Sequence, residues 1–505
     1  MSAASKLARL AAPLVLACVV SSVAAAQTEP FRPQFHFTPQ RNWMNDPNGM
    51  VFLDGEWHLF YQYNPFGDTW GHMSWGHAVS RDLVRWTHLP LALAEEDGVM
   101  IYSGSAVVDW KNTSGYGKKG VPPLVAIYTG DHSGREDQRI AYSNDRGRTW
   151  TKVPEPVLDL QMADFRDPKV FWHARSSRWI MSVALPNEHV IQFYSSPNLR
   201  EWTKVGAFGP SGATGGQWEC PDLFPVSVEG GGTKWVLIVN INPGGITGGS
   251  GTQYFVGDFD GARFVAEPGD TTTRWADYGS DFYAGVSWND VPRRDGRRVW
   301  MGWMSNWAYA KVVPTSPWRS AMTVPRALTL RRTPRGMRLV QTPVRELETL
   351  RRGPALHFDG GSLAGANAWL AAQRDLPPLL DVELGLAVTD SAPFDIRLVT
   401  GTDEQVVLHV DPARSELVVD RSRSGNAAFD PKFTLRHSAP LRIVNGDVNV
   451  RMLLDASSLE VFAQRGETVL TDLIFPTAGP RRLSLEASGR APRVRAIDIH
   501  PLAAP

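Results

Sequence analysis

Cysteine is nearly absent. There are two in 505 residues, and Cys18 lies in a leader-like segment, so the mature chain would keep Cys220 alone. Without an internal disulfide, the fold must rest on its packed core. An excess of either charge is also missing. The 52 basic and 52 acidic residues balance to a formal net charge of zero, which leaves no electrostatic basis for binding nucleic acid or an acidic membrane surface. Only one long apolar run occurs, Leu10 to Val20, too short and wrongly flanked for a membrane anchor. Lys6 and Arg9 precede it and Ala24-Ala25-Ala26 follow, so it reads as a secretory signal cleaved near Ala26 and the protein as secreted, extracellular or periplasmic. No His/Cys grouping has metal-ligand spacing, and no Gly-rich turn leads from a strand into a helix. Neither a metal nor another cofactor is expected.

Helical periodicity is almost absent as well. Short β-rich runs alternate with Gly, Pro, Asn and Asp turns, which indicates an all-β protein. One pattern recurs: an apolar strand, a polar turn, then an aromatic that opens the next strand. It appears at Ser80 to Trp86, Ser143 to Trp150, Ser196 to Trp202 and, more faintly, Gly257 to Phe264. The spacing is that of a propeller blade. Four copies and an unmarked stretch from Phe282 to Arg331 predict a five-bladed β-propeller, whose central funnel would gather loops from several blades into one pocket. A sandwich with irregular loops is the alternative. Tryptophan is abundant, 19 in all, but only Trp369 lies beyond Leu350. There the alternating runs at Asp381 to Val388, Glu404 to Val410 and Val448 to Leu454 indicate a second all-β domain, a C-terminal β-sandwich. The division is a signal peptide at 1–26, a propeller at 27–342, a connector at 343–354 with helical character through Val344 to Leu350, and a sandwich at 355–505.

Three carboxylates stand in unusual settings. Asp46 lies in Asn45-Asp46-Pro47-Asn48-Gly49, where Pro47 favours an extended residue before it and Asn48-Gly49 predicts a tight turn. The hairpin signal Asp54-Gly55 follows between apolar runs. Asp167 lies in Phe165-Arg166-Asp167-Pro168-Lys169, where Arg166 and Lys169 are expected to keep it ionised. Glu219 lies in Trp218-Glu219-Cys220-Pro221-Asp222 before an apolar run, surroundings expected to keep its carboxyl protonated as a general acid. Taken singly, each has a bland reading as a turn aspartate, a surface ion pair or a solvated blade-edge glutamate. On three predicted blades, they suggest one pocket built from acids. Two acids of unequal pKa suit glycoside hydrolysis, with retention if they stand about 5 Å apart and inversion if wider.

These three motifs, in this order, resemble the β-fructofuranosidases of glycoside hydrolase family 32, which includes invertases, inulinases and levanases. The resemblance runs from about Phe35 to the C-terminus, where Asp455 to Phe462 is similar to a segment of the family's sandwich. It implies a propeller plus sandwich and a retaining mechanism, with Asp46 as nucleophile, Glu219 as acid/base and Asp167 as transition-state stabiliser gripping fructose hydroxyls. Arg166 would hold Asp167 and sugar hydroxyls, and Asn45 would belong to the same binding motif. Gln62 and Trp70 match fructose-pocket positions. Tyr102 and Ser103 lie in a wall segment that usually begins with Phe, so Tyr102 departs from the pattern. Trp303 would form floor or wall, unless it and Trp70 are simply core. Asp281 to Ala284 and Pro314 to Ser320 look like exo-acting levanases and inulinases. The resemblance therefore implies an exo-hydrolase of fructan that also cleaves sucrose; the oligomeric state is left open, with a monomer favoured. A fructosyltransferase, a sucrose-preferring invertase, an inverting glycosidase and a carbohydrate-binding propeller are the alternatives.

Overall fold

The apolar runs flanking Asp54-Gly55 pair as antiparallel strands, Asn42–Leu53 and Glu56–Tyr63, with Leu53 opposite Glu56. Both turn residues have positive φ, 49° and 83°. This is the hairpin geometry that matches strand twist, and Asp-Gly adopts it at little cost. In the computed structural model, which describes residues 29–505 apart from 269–271, 374, 389, 391 and 434, this hairpin begins a series of sheets. The proposed signal segment lies outside the described residues.

Five antiparallel sheets follow one another along the chain up to Pro343. Their first strands are β1 (Asn42–Leu53), β2 (Met100–Val108), β3 (Arg166–His173), β4 (Gln217–Ser227) and β5 (Tyr283–Ser287). Each packs against the next, and β5 packs back against β1, so the first strands form a ring from which the sheets radiate as a propeller. Trp318–Arg319 adds a short parallel strand beside Asn42 and Trp43. The recurrent polar turns connect the third and fourth strands of the sheets. In three of them a serine hydroxyl bonds an Asx side chain two residues on: Ser80 to Asp82, Ser143 to Asp145 and Ser196 to Asn198. Indole rings fill the spaces between sheets, with Trp75, Trp218, Trp288 and Trp300 fully buried.

A six-stranded and a five-stranded sheet make the C-terminal sandwich around a core that includes Leu384, Val406, Leu459 and Ile497. The connector is a 3-10 turn, Arg345–Leu350, pinned by buried Leu347 and Leu350. Docking of sandwich on propeller uses buried charge. Asp455 accepts the backbone N–H groups of Gln34, Phe35 and His36. Glu460 accepts from Arg326 Nε at 3.1 Å and lies 2.7 Å from His36 Nε2. The Asp455 to Phe462 segment is therefore the seam between the two parts of the molecule.

Candidate active site

Every first strand breaks register with its neighbour close to its start. The irregularities fall between Met44 and Pro47, Ile101 and Gly104, Arg166 and Lys169, Glu219 and Asp222, and Tyr283 and Val286. A bulge releases residues from the ladder and re-aims their side chains. Proline, which has no N–H for a ladder, is tolerated there: Pro168 and Pro221 lie within two of the breaks and Pro47 borders a third. Asp167, Cys220 and Ala284 take positive φ of 66°, 44° and 52°. The tight turn predicted at Asn48-Gly49 does not form. The chain stays in β1, and Gly49 sits at φ 51° where a Cβ would lie 2.7 Å from Phe60 Cδ2.

Through these bulges each first strand delivers one polar side chain to a common centre: Asp46, Ser103, Asp167, Glu219 and Tyr283. Ser103 Oγ donates to Asp46 Oδ2 at 2.7 Å, and Cys220 Sγ–H donates to the same oxygen at 3.4 Å. Asn45 Nδ2 donates to Asp46 Oδ1 at 3.0 Å, while its own Oδ1 accepts from Trp43 Nε1 at 2.7 Å. Asp167 Oδ2 accepts the Cys220 backbone N–H at 2.8 Å. Glu219 accepts from Arg166 Nε at 3.0 Å on Oε1 and from the Tyr283 hydroxyl on Oε2. The Glu219 side chain keeps 20% exposure, whereas Asp46 and Asp167 are buried.

Burial and the neighbouring Glu219 charge raise the Asp46 pKa, against the lowering effect of its hydrogen bonds from Asn45, Ser103 and Cys220. The Asp167 carboxyl is pushed up to about 8 by burial and then by Glu219, with Arg166 opposing. Glu136, buried behind Arg166, is pushed up to about 7 by burial, although Arg166 pulls it down. Burial alone would lower the Arg166 pKa, but the surrounding carboxylates of Glu219, Glu136 and Asp167 hold its guanidinium firmly protonated. Among the described residues, no group of three or more His, Cys, Asp or Glu is arranged to hold a metal ion.

Several expectations need correction. Arg166 does not hydrogen-bond Asp167. Its guanidinium reaches Glu219, Glu136, Asp164 and Gln217 instead. Lys169 turns the other way, to Asp222 at 3.2 Å and the Ser287 carbonyl. Neither keeps Asp167 in the ordinary carboxylate range, because burial outweighs them. The apolar surroundings expected around Glu219 are absent. Trp218 packs away into the core between sheets, its Nε1 on the Ala213 carbonyl at 2.8 Å, and Glu219 is held by an arginine and a tyrosine.

Gln62 is buried and donates to the Ile101 carbonyl at 3.0 Å, tying the first two sheets together beside the site. Trp70 stands partly exposed, its ring 6.2 Å from that of Tyr102. The Tyr102 hydroxyl bonds Asp131, a contact phenylalanine could not make. Trp303 is wholly buried, 6.4 Å from the Tyr283 ring and 4.8 Å from Trp307, and belongs to the propeller core next to Tyr283. The Gly-rich stretch 243–250 leaves its sheet at the end where Gln217 pairs with Asn242, the same end as Glu219. Neither Tyr283 nor Glu136 is among the site residues expected from the sequence. The first lay in a stretch already singled out, Asp281 to Ala284; the second has no local signal.

The family profile described as "Glycosyl hydrolases family 32 N-terminal domain" matches residues 36–343, and "Glycosyl hydrolases family 32 C terminal" matches 346–501. The chain is 49% identical to a levanase of Bacillus subtilis over 481 residues, covering 94% of this chain and 71% of the levanase. It is 40% identical to an extracellular exo-inulinase of Aspergillus ficuum over 530 residues, covering 96% and 97%. The crystal structure of exo-inulinase from Aspergillus awamori superposes with a TM-score of 0.86 at 37% identity, covering 94% of this chain and 99% of that one.

Proposed function

The chain belongs to glycosyl hydrolase family 32, and from that membership we propose that it is an exo-β-fructosidase, removing terminal fructose from levan or inulin and also cleaving sucrose. The observation that carries this reading is the meeting of Asp46, Ser103, Asp167, Glu219 and Tyr283, one from each first strand, linked by hydrogen bonds through Cys220 and Arg166. Asp46 is oriented by donors on both oxygens, so a lone pair is presented in a fixed direction. In our reading it attacks the anomeric carbon of fructose. The bond to the leaving oxygen breaks as Glu219, reachable from solvent, gives that oxygen its proton. A covalent fructosyl-enzyme results. Glu219, now ionised, takes a proton from water, and the water oxygen displaces Asp46 with overall retention. With Glu219 carrying its proton, the charge that pushes Asp167 up is removed, and Asp167, held by the Cys220 N–H, accepts hydrogen bonds from fructose hydroxyls that strengthen as positive charge develops on the ring. Asn45, Gln62, Trp70, Tyr102, Arg166 and Trp303 shape and support the sugar pocket.

We place its action outside the cell, as for the extracellular exo-inulinase it resembles, and no described helix is long and apolar enough to cross a membrane. A timed chromatogram of products from levan, inulin and sucrose tests the reading. Fructose alone from the start, fastest on one polymer, is the expected result and names the linkage. A ladder or a dominant disaccharide would replace exo-action with endo or disaccharide-releasing action. Growing oligosaccharides at high sucrose would make it a transferase. An NMR spectrum of the first-formed anomer distinguishes retention from inversion.

A further inference from the structure

The far end of the ring, where the first strands finish, holds a cavity of about 510 Å³. Trp172 in its wall is five positions beyond Asp167 on β3, roughly 16 Å away at ~3.3 Å per residue. None of Asp46, Ser103, Asp167, Glu219 and Tyr283 lines the cavity, so it is distinct from the acid cluster.

Its walls are preformed. Trp110 Nε1 donates to Asp290 Oδ1 at 3.0 Å, and Asp290 Oδ2 accepts the Val108 N–H at 2.9 Å. Lys111 Nζ lies 5.1 Å from the centroid of the Trp172 ring, and Trp172 packs edge-on to Trp179 at 5.1 Å. Although so anchored, Trp110 remains 58% exposed. A fixed aromatic ring at the mouth of a concave, partly apolar cavity is the kind of surface that small-ligand sites use. Asp222, wholly buried in the lining, leaves Oδ1 without a hydrogen-bond partner among the described residues.

The charge of the lining selects the ligand class. Asp109, Asp222 and Asp290 are balanced by Lys111, Arg175 and Arg298. An anion would meet the carboxylates and a cation the basic groups. A neutral ligand with apolar C–H faces for the indoles and hydroxyls for the charged groups meets neither conflict. We propose that this cavity is a non-catalytic carbohydrate site that holds a distal stretch of the same fructan polymer whose end enters the acid cluster. This rests on the fructan reading above. Holding the polymer at a second point raises the effective concentration of chain ends near the catalytic pocket without altering the chemistry.

The test compares the parent enzyme with Trp110→Ala. Trp110 is a surface ring outside the catalytic pocket, and unchanged kcat/KM on sucrose confirms an intact fold. Affinity electrophoresis in gels containing levan or inulin is run alongside kinetics on the same polymers. Trp110→Ala is expected to reduce retardation by the polymer and to raise KM on it by roughly threefold to tenfold, leaving kcat and sucrose cleavage unchanged. Equal retardation and equal KM in parent and variant would overturn the proposal. Lys111→Ala, at the same wall, checks that the loss is not peculiar to one ring. If the parent hydrolyses neither polymer, the fructan reading fails instead, a result separate from any effect of Trp110.

Discussion

Tyr283 donates its hydroxyl to Glu219 Oε2, joining the bulges of the fourth and fifth first strands. Two residues before Tyr283, Asp281 is gripped by the sandwich: its Oδ2 accepts from Arg421 at 2.6 Å and from the Leu473 N–H at 2.8 Å. The second domain thus reaches to within two residues of the group that orients the proposed acid. Tyr283→Phe is expected to lower kcat on sucrose about tenfold or more, by freeing one side of Glu219. A substrate whose leaving group needs no protonation should lose much less in the fructosylation step. Equal losses on both substrates would assign Tyr283 a packing role only.

Asp46→Asn should abolish turnover while keeping the fold, since the amide fits the same space but carries no attacking charge and gives up one of the accepting oxygens. Measurable turnover would remove Asp46 as nucleophile. Glu219→Gln should disable sucrose cleavage while sparing formation of the fructosyl-enzyme from a substrate with a good leaving group. A matching collapse on that substrate would show that Glu219 is not the acid.

Ser103→Ala should move the acid limb of the kcat/KM profile to higher pH. Asp46 must be ionised to attack. Burial raises its pKa, and the Ser103 hydrogen bond is one of the contacts that lowers it. Without that donor the carboxyl takes up its proton at higher pH, so activity fails sooner on acidification. An unmoved limb would mean that another group sets it.

Stability should depend on pH through His36, which lies between Asp455 and Glu460 at 2.8 and 2.7 Å. Burial alone would lower its pKa, but hydrogen bonds to those carboxylates carry it from 6.5 up to about 9. The folded-state value is the higher one. Its contribution, on the order of 3 kcal/mol, is therefore full below pH 6.5 and lost as pH rises through about 9. Melting scans across this window should show a falling Tm in the parent and a flatter, lower curve in His36→Gln. Parallel curves would refute the linkage.

Cys220 should behave as a slow, protonated thiol. Burial first, then the neighbouring carboxylates of Asp167, Asp46 and Glu219, pushes its pKa well up. Iodoacetamide at pH 8 should label it slowly in the native state and quickly after unfolding. Mercurials that do reach Sγ should inhibit, because it contacts Asp46. Cys220→Ser should keep activity and resist mercurials; inhibition that persists in the variant would place the reactive group elsewhere.

What the sequence determined by itself is local. Asp54-Gly55 between apolar runs specifies a hairpin, because turn geometry depends on two residues. The alternation of short runs specifies an all-β chain, and three motifs around Asp46, Asp167 and Glu219 specify a family. Which groups touch was decided only by the tertiary structure. Ring closure brings Tyr283 to Glu219, carries Cys220 to both Asp46 and Asp167, and turns Arg166 toward Glu219 and Glu136 rather than its own neighbour. These contacts join residues tens to hundreds of positions apart. The bulges that aim them depend on register with a paired strand, and the raised carboxyl pKa values depend on burial. Neither register nor burial exists until the sheets have packed around their axis.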